Sequence, residues 1–170
     1  MSPKTRTFWP LLLILLLTDC ATKELAVEQL SPIQIPHTVI DSFLRFTLVY
    51  NPGTAFGIDL RPWLGQWARP VLILLMIAVL AALARIYYQA APKARLTAAA
   101  LGLACGGAIG NLLDRFRYPM GVVDFIDVGV GTHRFWIFNV ADAGITLGAI
   151  AISLILLRDD ARRVATSEAV

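Results

Sequence analysis

Residues 96–115 read LTAAALGLACGGAIGNLLDR: fifteen residues from Leu96 to Gly110 with no acidic or basic side chain, closed by Asn111, Asp114 and Arg115. A helix rises about 1.5 Å per residue, so about 20 such residues cross the hydrocarbon core of a bilayer, and the polar end falls at one membrane boundary. Gly102, Gly106 and Gly110 recur every fourth residue. Such a ridge of small residues lets a neighbouring helix backbone approach closely. The stretch therefore predicts a spanning helix that packs on its neighbours and delivers polar groups to one face of the membrane.

Working outward, three more stretches meet the same length criterion. The spans are expected at about 9–28, 67–88, 96–115 and 138–157, with a tight turn at 90–95 and two polar loops at 30–66 and 116–137. The 170-residue chain is 57% hydrophobic and 16% charged, too little polar surface for a soluble domain of this length. Its net charge of +3 is not gathered into basic runs interleaved with aromatics, which speaks against nucleic acid as a partner. Cys20 and Cys105 lie in apolar stretches and are read as packing residues.

The start of the chain has the basic and apolar regions of a secretory leader, and Leu17-Thr18-Asp19-Cys20 imitates a lipoprotein cleavage box. A cleavable box wants a small residue before the cysteine, whereas Asp19 is charged, so the segment reads as a retained first span. Lys4, Arg6, Arg85, Lys93, Arg95, Arg158, Arg162 and Arg163 crowd into short tails and one turn, while the opposite side spreads seven Lys and Arg over long segments. That density places both termini in the cytoplasm. The first long loop alternates and is rich in β-branched residues at Thr38–Ile40 and Phe43–Tyr50 around Asp41-Ser42. With Val122–Val130 and Arg134–Phe138 it predicts a small extracytoplasmic sheet, and Pro62–Trp67 a short interfacial helix. The fold class is thus a membrane all-α bundle of four helices with a small β-cradle, organised as one domain over residues 1–170.

Ionisable residues inside spans are costly and mark function or a buried pair. Here they gather at one level: Asp19 and Lys23, then Asn111, Asp114 and Arg115, then Asn139 and Asp142, joined by Asn51–Gly57 and Val123-Asp124-Phe125 from the loops. Asp19 and Lys23, four apart with the acid first, read as a mutually neutralising pair. Asn111 and Arg115 share a helix face with Gly107 that can reach loop backbone or substrate. Asn139 and Asp142, three apart, share a face where a helix start leaves free N–H donors.

The usual hydrolytic alternatives lack their residues. There is no H-E-x-x-H helix, His37 and His133 stand apart in the outer loops, and no serine at the polar level has a His or Lys partner. Acid chemistry remains: two close carboxylates cannot both ionise cheaply, so one keeps a proton while the other activates water. Asp124, from a loop, and Asp142, from a helix start, are the best pair. The competing class is a small transporter or channel with Asp19, Lys23 and Asp142 along its path. Against it, the charges occupy one level and do not continue through the cytoplasmic half.

Asp19-Cys20-Ala21-Thr22-Lys23, Asn51-Pro52-Gly53-Thr54-Ala55-Phe56, Gly107–Arg115, Val122-Val123-Asp124-Phe125 and Phe138-Asn139-Val140-Ala141-Asp142 resemble, in order, the signature blocks of the lipoprotein signal peptidases (signal peptidase II). The resemblance runs from about residue 10 to residue 157. It implies a multi-pass enzyme of the bacterial inner membrane with its active site at the outer face and an aspartyl dyad of Asp124 and Asp142. Asn51, Gly53, Gly107, Asn111, Arg115 and Asn139 then shape the site or hold substrate, and Asp19, Lys23 and Asp114 support it. The implied partners are membrane lipid and a diacylglyceryl-modified prolipoprotein, cut N-terminal to its lipid-modified cysteine by aspartate-activated water, with no metal or organic cofactor.

Overall fold

The computed structural model describes residues 1–54 and 58–168, and the side chains of Asp159 and of residues 162–168 fall outside that description. Ala55, Phe56 and Gly57 of the Asn51 block, and the Arg162 and Arg163 side chains counted for orientation, therefore lie outside the described residues. Helix α1 covers Pro3–Gln29 and is followed by strands β1 (His37–Ile40) and β2 (Leu44–Asn51). A one-turn helix α2 (Arg61–Leu64) and a 3-10 turn (Gly65–Trp67) lead into α3 (Ala68–Gln89). Then come α4 (Arg95–Arg117), β3 (Val122–Val130), β4 (His133–Arg134) and α5 (Val140–Glu168).

Among the described residues, three stretches are long and apolar enough to cross a membrane: Arg61–Gln89, Arg95–Arg117 and Val140–Arg158. Helix α1 is as long as they are, but Asp19, Lys23 and Glu24 interrupt its apolar run. It begins six residues before the expected Trp9. Ser2 supplies the N-cap, its hydroxyl accepting from the Thr5 N–H, and Pro3 occupies the first turn, where no N–H is needed. Helix α5 likewise runs beyond Leu157, through a polar stretch with nothing in it to break a helix.

Helix α4 is the centre of the bundle, packed on α1, α3 and α5. The glycine ridge does what its spacing predicted: a Cβ on Gly102 would stand 2.8 Å from the Phe8 carbonyl oxygen, and one on Gly106 2.7 Å from that of Leu12. Phe8, Leu12, Tyr87, Leu101 and Cys105 form the core at this end of the bundle. Cys105 packs as expected, but Cys20 is exposed on the outside of α1 and takes no part in a core. Lys4 binds the α3–α4 turn, with Nζ donating to the Tyr87 and Ala90 carbonyls at 2.8 and 2.7 Å, so the N-terminus and this turn share one end of the bundle.

At the other end lies a four-stranded antiparallel sheet in the order β1-β2-β3-β4. Both sheet segments of the first loop and Val122–Val130 form as expected. Of Arg134–Phe138, only Arg134 lies in β4, and Phe138 makes a single bridge to Ile126. Residues 135–137 lie in no strand, although the Phe135 N–H donates to the Val128 carbonyl of β3 at 2.9 Å. His37 and His133 are exposed on β1 and β4. Side chains alternate across a strand, so β3 has two roles. Val123 and Phe125 pack with Leu48 against Ala26 of α1, and Asp124 between them faces the other way.

Candidate active site

The site begins with how α5 starts. Asn139 is its N-cap: Asn139 Oδ1 accepts from the Asp142 N–H at 2.9 Å, and Asp142 Oδ2 accepts from the Asn139 N–H at 3.2 Å. This reciprocal capping satisfies donors that a helix start leaves free. The Asn139 amide nitrogen then turns outward from the helix and donates to Asp124 Oδ1 at 2.6 Å, to Asn111 Oδ1 at 3.1 Å and to the Val123 carbonyl at 3.2 Å. Asn139 is fully buried and Asp124 is 1% exposed.

Each carboxylate receives a second amide from another element. Asn51 Nδ2 donates to Asp124 Oδ2 at 3.0 Å, and Asn111 Nδ2 donates to Asp142 Oδ1 at 2.8 Å. The first contact follows from sheet register: Asn51 pairs with Val122 and Val49 with Asp124, which puts Asn51 diagonally beside Asp124 on one face. Asn51 Oδ1 also accepts from the Gly53 N–H at 3.0 Å, turning the chain away from β2. The Arg115 guanidinium donates to the Gly53 carbonyl and, at 3.5 Å, to that of Pro52. The α4 face predicted to reach loop backbone does so through this arginine. Gly107, one turn below Asn111, has no room for a Cβ against the Ala141 carbonyl and seats α5 on α4.

Lys23 is not confined to its neighbour Asp19. Its Nζ donates to Asn111 Oδ1 at 2.8 Å and forms ion pairs with Asp19 Oδ2 and Asp114 Oδ2, each at 2.8 Å. The expected mutually neutralising pair is thus one edge of a three-helix hub. Asp19 Oδ1 accepts from the Ala141 N–H at 2.8 Å, and Asp114 Oδ2 accepts from the Val123 N–H at 3.1 Å. Two carboxylates thereby fix α5 and β3 through their backbones, next to Asp142 and Asp124 respectively.

Burial pushes the Asp124 carboxyl up to about 7, the nearby Asp142 charge adds to the rise, and the amides of Asn51 and Asn139 with Lys23 oppose it. Desolvation thus wins over hydrogen bonding and lifts the Asp124 carboxyl well above the usual carboxylate range. Below the carboxylates, α3, α4 and α5 enclose a cleft of about 360 Å³, largely apolar, with Leu72, Met76 and Ile145 on its walls and Asn111, Arg115 and Asp142 at its polar end.

Some contributors were not singled out in the sequence. Arg69 at the start of α3 donates to the Arg115 carbonyl through Nε and Nη2 at 2.9 and 2.6 Å. In the sequence it is one more arginine near a span end. Arg134 donates to Asp127 Oδ1 at 2.8 Å and Thr47 to Asp127 Oδ2 at 3.2 Å, tying the far end of β3 to its neighbours.

The chain matches the family described as Signal peptidase (SPase) II over residues 11–158. A lipoprotein signal peptidase of Geobacter metallireducens is 35% identical, covering 96% of this chain and 98% of the relative. One from Maridesulfovibrio salexigens is 37% identical, covering 82% of this chain and 87% of its own length. A solved bacterial membrane enzyme superposes with a TM-score of 0.77 at 31% identity, covering 89% of this chain and 88% of that one. These matches set aside the transporter reading, and the chain belongs to the signal peptidase II family of aspartic peptidases.

Proposed function

We propose that Asp124 and Asp142 are the catalytic dyad of this peptidase, which removes signal peptides from prolipoproteins. The observation that carries the assignment is the amide frame: Asn139, Asn51 and Asn111 hold the two carboxylates from three separate elements. Asp19, Lys23 and Asp114 support that frame from below, and Gly53 and Gly107 shape its edges. Two carboxylates that share one proton suit peptide hydrolysis. One takes a proton from the attacking water while the other protonates the scissile carbonyl oxygen, and the tetrahedral intermediate collapses with proton return to the leaving amine. Which carboxylate starts each step belongs to the pair as a unit.

The substrate that fits is a diacylglyceryl-modified prolipoprotein. Its signal helix would lie along the apolar cleft, and its scissile bond, before the lipid-modified cysteine, would meet the polar end beside Asp142 and Arg115. We further infer four spans in one domain of the bacterial inner membrane, with α1 as the fourth. The polar residues of α1 support this reading, since Asp19 and Lys23 are buried against α4 instead of facing lipid. Both termini would be cytoplasmic and the site outward: the N-terminus sits on the α3–α4 turn, where the basic residues are dense.

The test uses purified protein in detergent with a diacylglyceryl-modified prolipoprotein. The parent releases signal peptide, while Asp124→Asn and Asp142→Asn each lose at least about 10²-fold in rate with folding intact, the scale of a lost general acid or base. Cleavage at near-parental rate by both variants would remove the dyad from consideration.

A further inference from the structure

Beneath α2 and the 3-10 turn is a second cavity of about 170 Å³, which meets the substrate cleft at Arg115 and is lined by Arg61, Gln66, Arg69 and Arg115 together with Pro52 and Gly121. Among the described residues, no acidic side chain lines it. Arg61 is committed to Asp59 through its Nε, at 3.0 and 2.9 Å, and is mostly exposed. The other two guanidiniums are different. Arg69 and Arg115 make their hydrogen bonds to backbone carbonyls, and neither has an ion pair with a carboxylate among the described residues. Arg115 is 6% exposed, and its Nε–H is buried without a hydrogen-bond partner. That Nε–H is enclosed by the protein, but the guanidinium charges of Arg69 and Arg115 line the cavity without an ion pair among the described residues, which favours an anion there.

The cavity also has an apolar continuation. Gln66 and Arg69, which line it, also border an open apolar surface that passes down α3 over Pro70, Ile73 and Leu74. Trp63 and Trp67 flank this junction and are 74% and 64% exposed, as rings at a bilayer interface are. A phosphate-sized anion above and a hydrocarbon chain below, joined at the interfacial level, describe one molecule.

We infer that this cavity binds the phosphodiester of a membrane glycerophospholipid, held by Arg69 and Gln66, with an acyl chain along Ile73 and Leu74. Guanidinium donors match phosphate oxygens in geometry and charge. The site requires that α3 lie in a bilayer, as inferred above, but its occupancy does not depend on the dyad being catalytic. Lipid binding and cleavage are therefore read independently.

The test is native mass spectrometry of the full chain, released from detergent after titration with phosphatidylglycerol, with diacylglycerol of the same acyl chains, or with inorganic phosphate. Phosphatidylglycerol is expected to be retained at least about tenfold better than diacylglycerol, a difference of about 1.4 kcal/mol, and to resist displacement by inorganic phosphate. Arg69→Gln and Gln66→Leu should each lower that retention about fivefold or more, the loss of a charge-assisted or a neutral bond to phosphate. Should Arg69→Gln misfold, the exposed Gln66 position and the headgroup comparison on the parent still decide. Equal retention of diacylglycerol, or unchanged retention in Gln66→Leu, overturns the phosphate contact. Ready displacement by inorganic phosphate overturns the phospholipid and leaves a free-anion site.

Discussion

Asn139 and Asp142 cap one another across the first turn of α5, at 2.9 and 3.2 Å, and the same Asn139 side chain reaches Asp124 at 2.6 Å. The helix start and the alignment of the two carboxylates are therefore one construction. Removing the amide in Asn139→Ala deletes a hydrogen bond to a charged group, about 1.5–3 kcal/mol, or roughly a 10- to 100-fold loss in kcat. Asn139→Asp should be worse than alanine, because it places a third carboxylate between two others. Parental kcat in Asn139→Ala, measured on a diacylglyceryl-modified prolipoprotein, would show that the cap does not position the dyad.

The raised Asp124 carboxyl has a consequence for stability. It titrates near 3.8 when unfolded and near 7 when folded, so between those values the folded state binds more protons. The contribution of Asp124 is fully present below about 3.8 and is lost as pH rises through about 7. Asp124→Asn has no such proton to lose. Its stability relative to the parent should therefore increase as pH is raised from about 4 to about 7, then level off. Thermal midpoints in detergent across that range read the difference, and a flat or falling difference contradicts the buried, proton-retaining Asp124.

Lys23 satisfies Asp19, Asp114 and Asn111 at once. Lys23→Ala should cost about 3–5 kcal/mol, since it strands buried carboxylates without a cation. The hub makes a sharper expectation than an isolated pair would: adding Asp19→Asn to Lys23→Ala restores only part of the stability, because Asp114 remains uncompensated. Full recovery in that double variant would mean that Lys23 serves Asp19 alone. Thermal stability is the readout here, with cleavage following it.

The sequence made this hub half-visible. Charges within apolar runs are conspicuous, which is why Asp19, Lys23, Asp114 and Asp142 could be assigned to one level before any contact was known. Spacing of four also linked Lys23 to Asp19, but its contacts with Asp114 and Asn111 cross helices and leave no local signal. Asn139 and Asp142 were legible as a pair for the opposite reason, since capping is local and has a fixed offset. The strand Val122–Val130 was readable from its β-branched residues, while 135–137 were misread because aromatic residues at an interface resemble a strand in composition. Arg69 carried no signal apart from being another arginine beside a span. The start of α1 was different again: Ser2 and Pro3 form a cap that was present in the sequence and outweighed by the weak hydropathy of residues 3–8.

Gly110 shows how close the helices must come for the hub to exist. A Cβ at this position would collide with Asp19 Oδ2 and lie 3.2 Å from Asp19 Cγ, so even alanine requires the carboxylate to move. Asp19 cannot move freely. One of its oxygens pairs with Lys23 and the other accepts from the Ala141 N–H, in the same first turn of α5 that carries Asp142. Gly110→Ala should therefore lower stability by about 1–3 kcal/mol, the usual cost of overpacking a tight interior. It should also reduce kcat beyond what the unfolded fraction explains, because the displaced Asp19 releases the turn that holds the dyad. Gly65→Ala is the appropriate control. Its backbone, φ 51° and ψ −128°, strains alanine and costs about 1–3 kcal/mol, yet nothing lies within 4 Å, so stability falls while kcat per folded molecule is retained. Measuring both variants by thermal midpoint and by turnover separates the two effects. Unchanged kcat in folded Gly110→Ala would break the link drawn from α1 through Asp19 to Asp142.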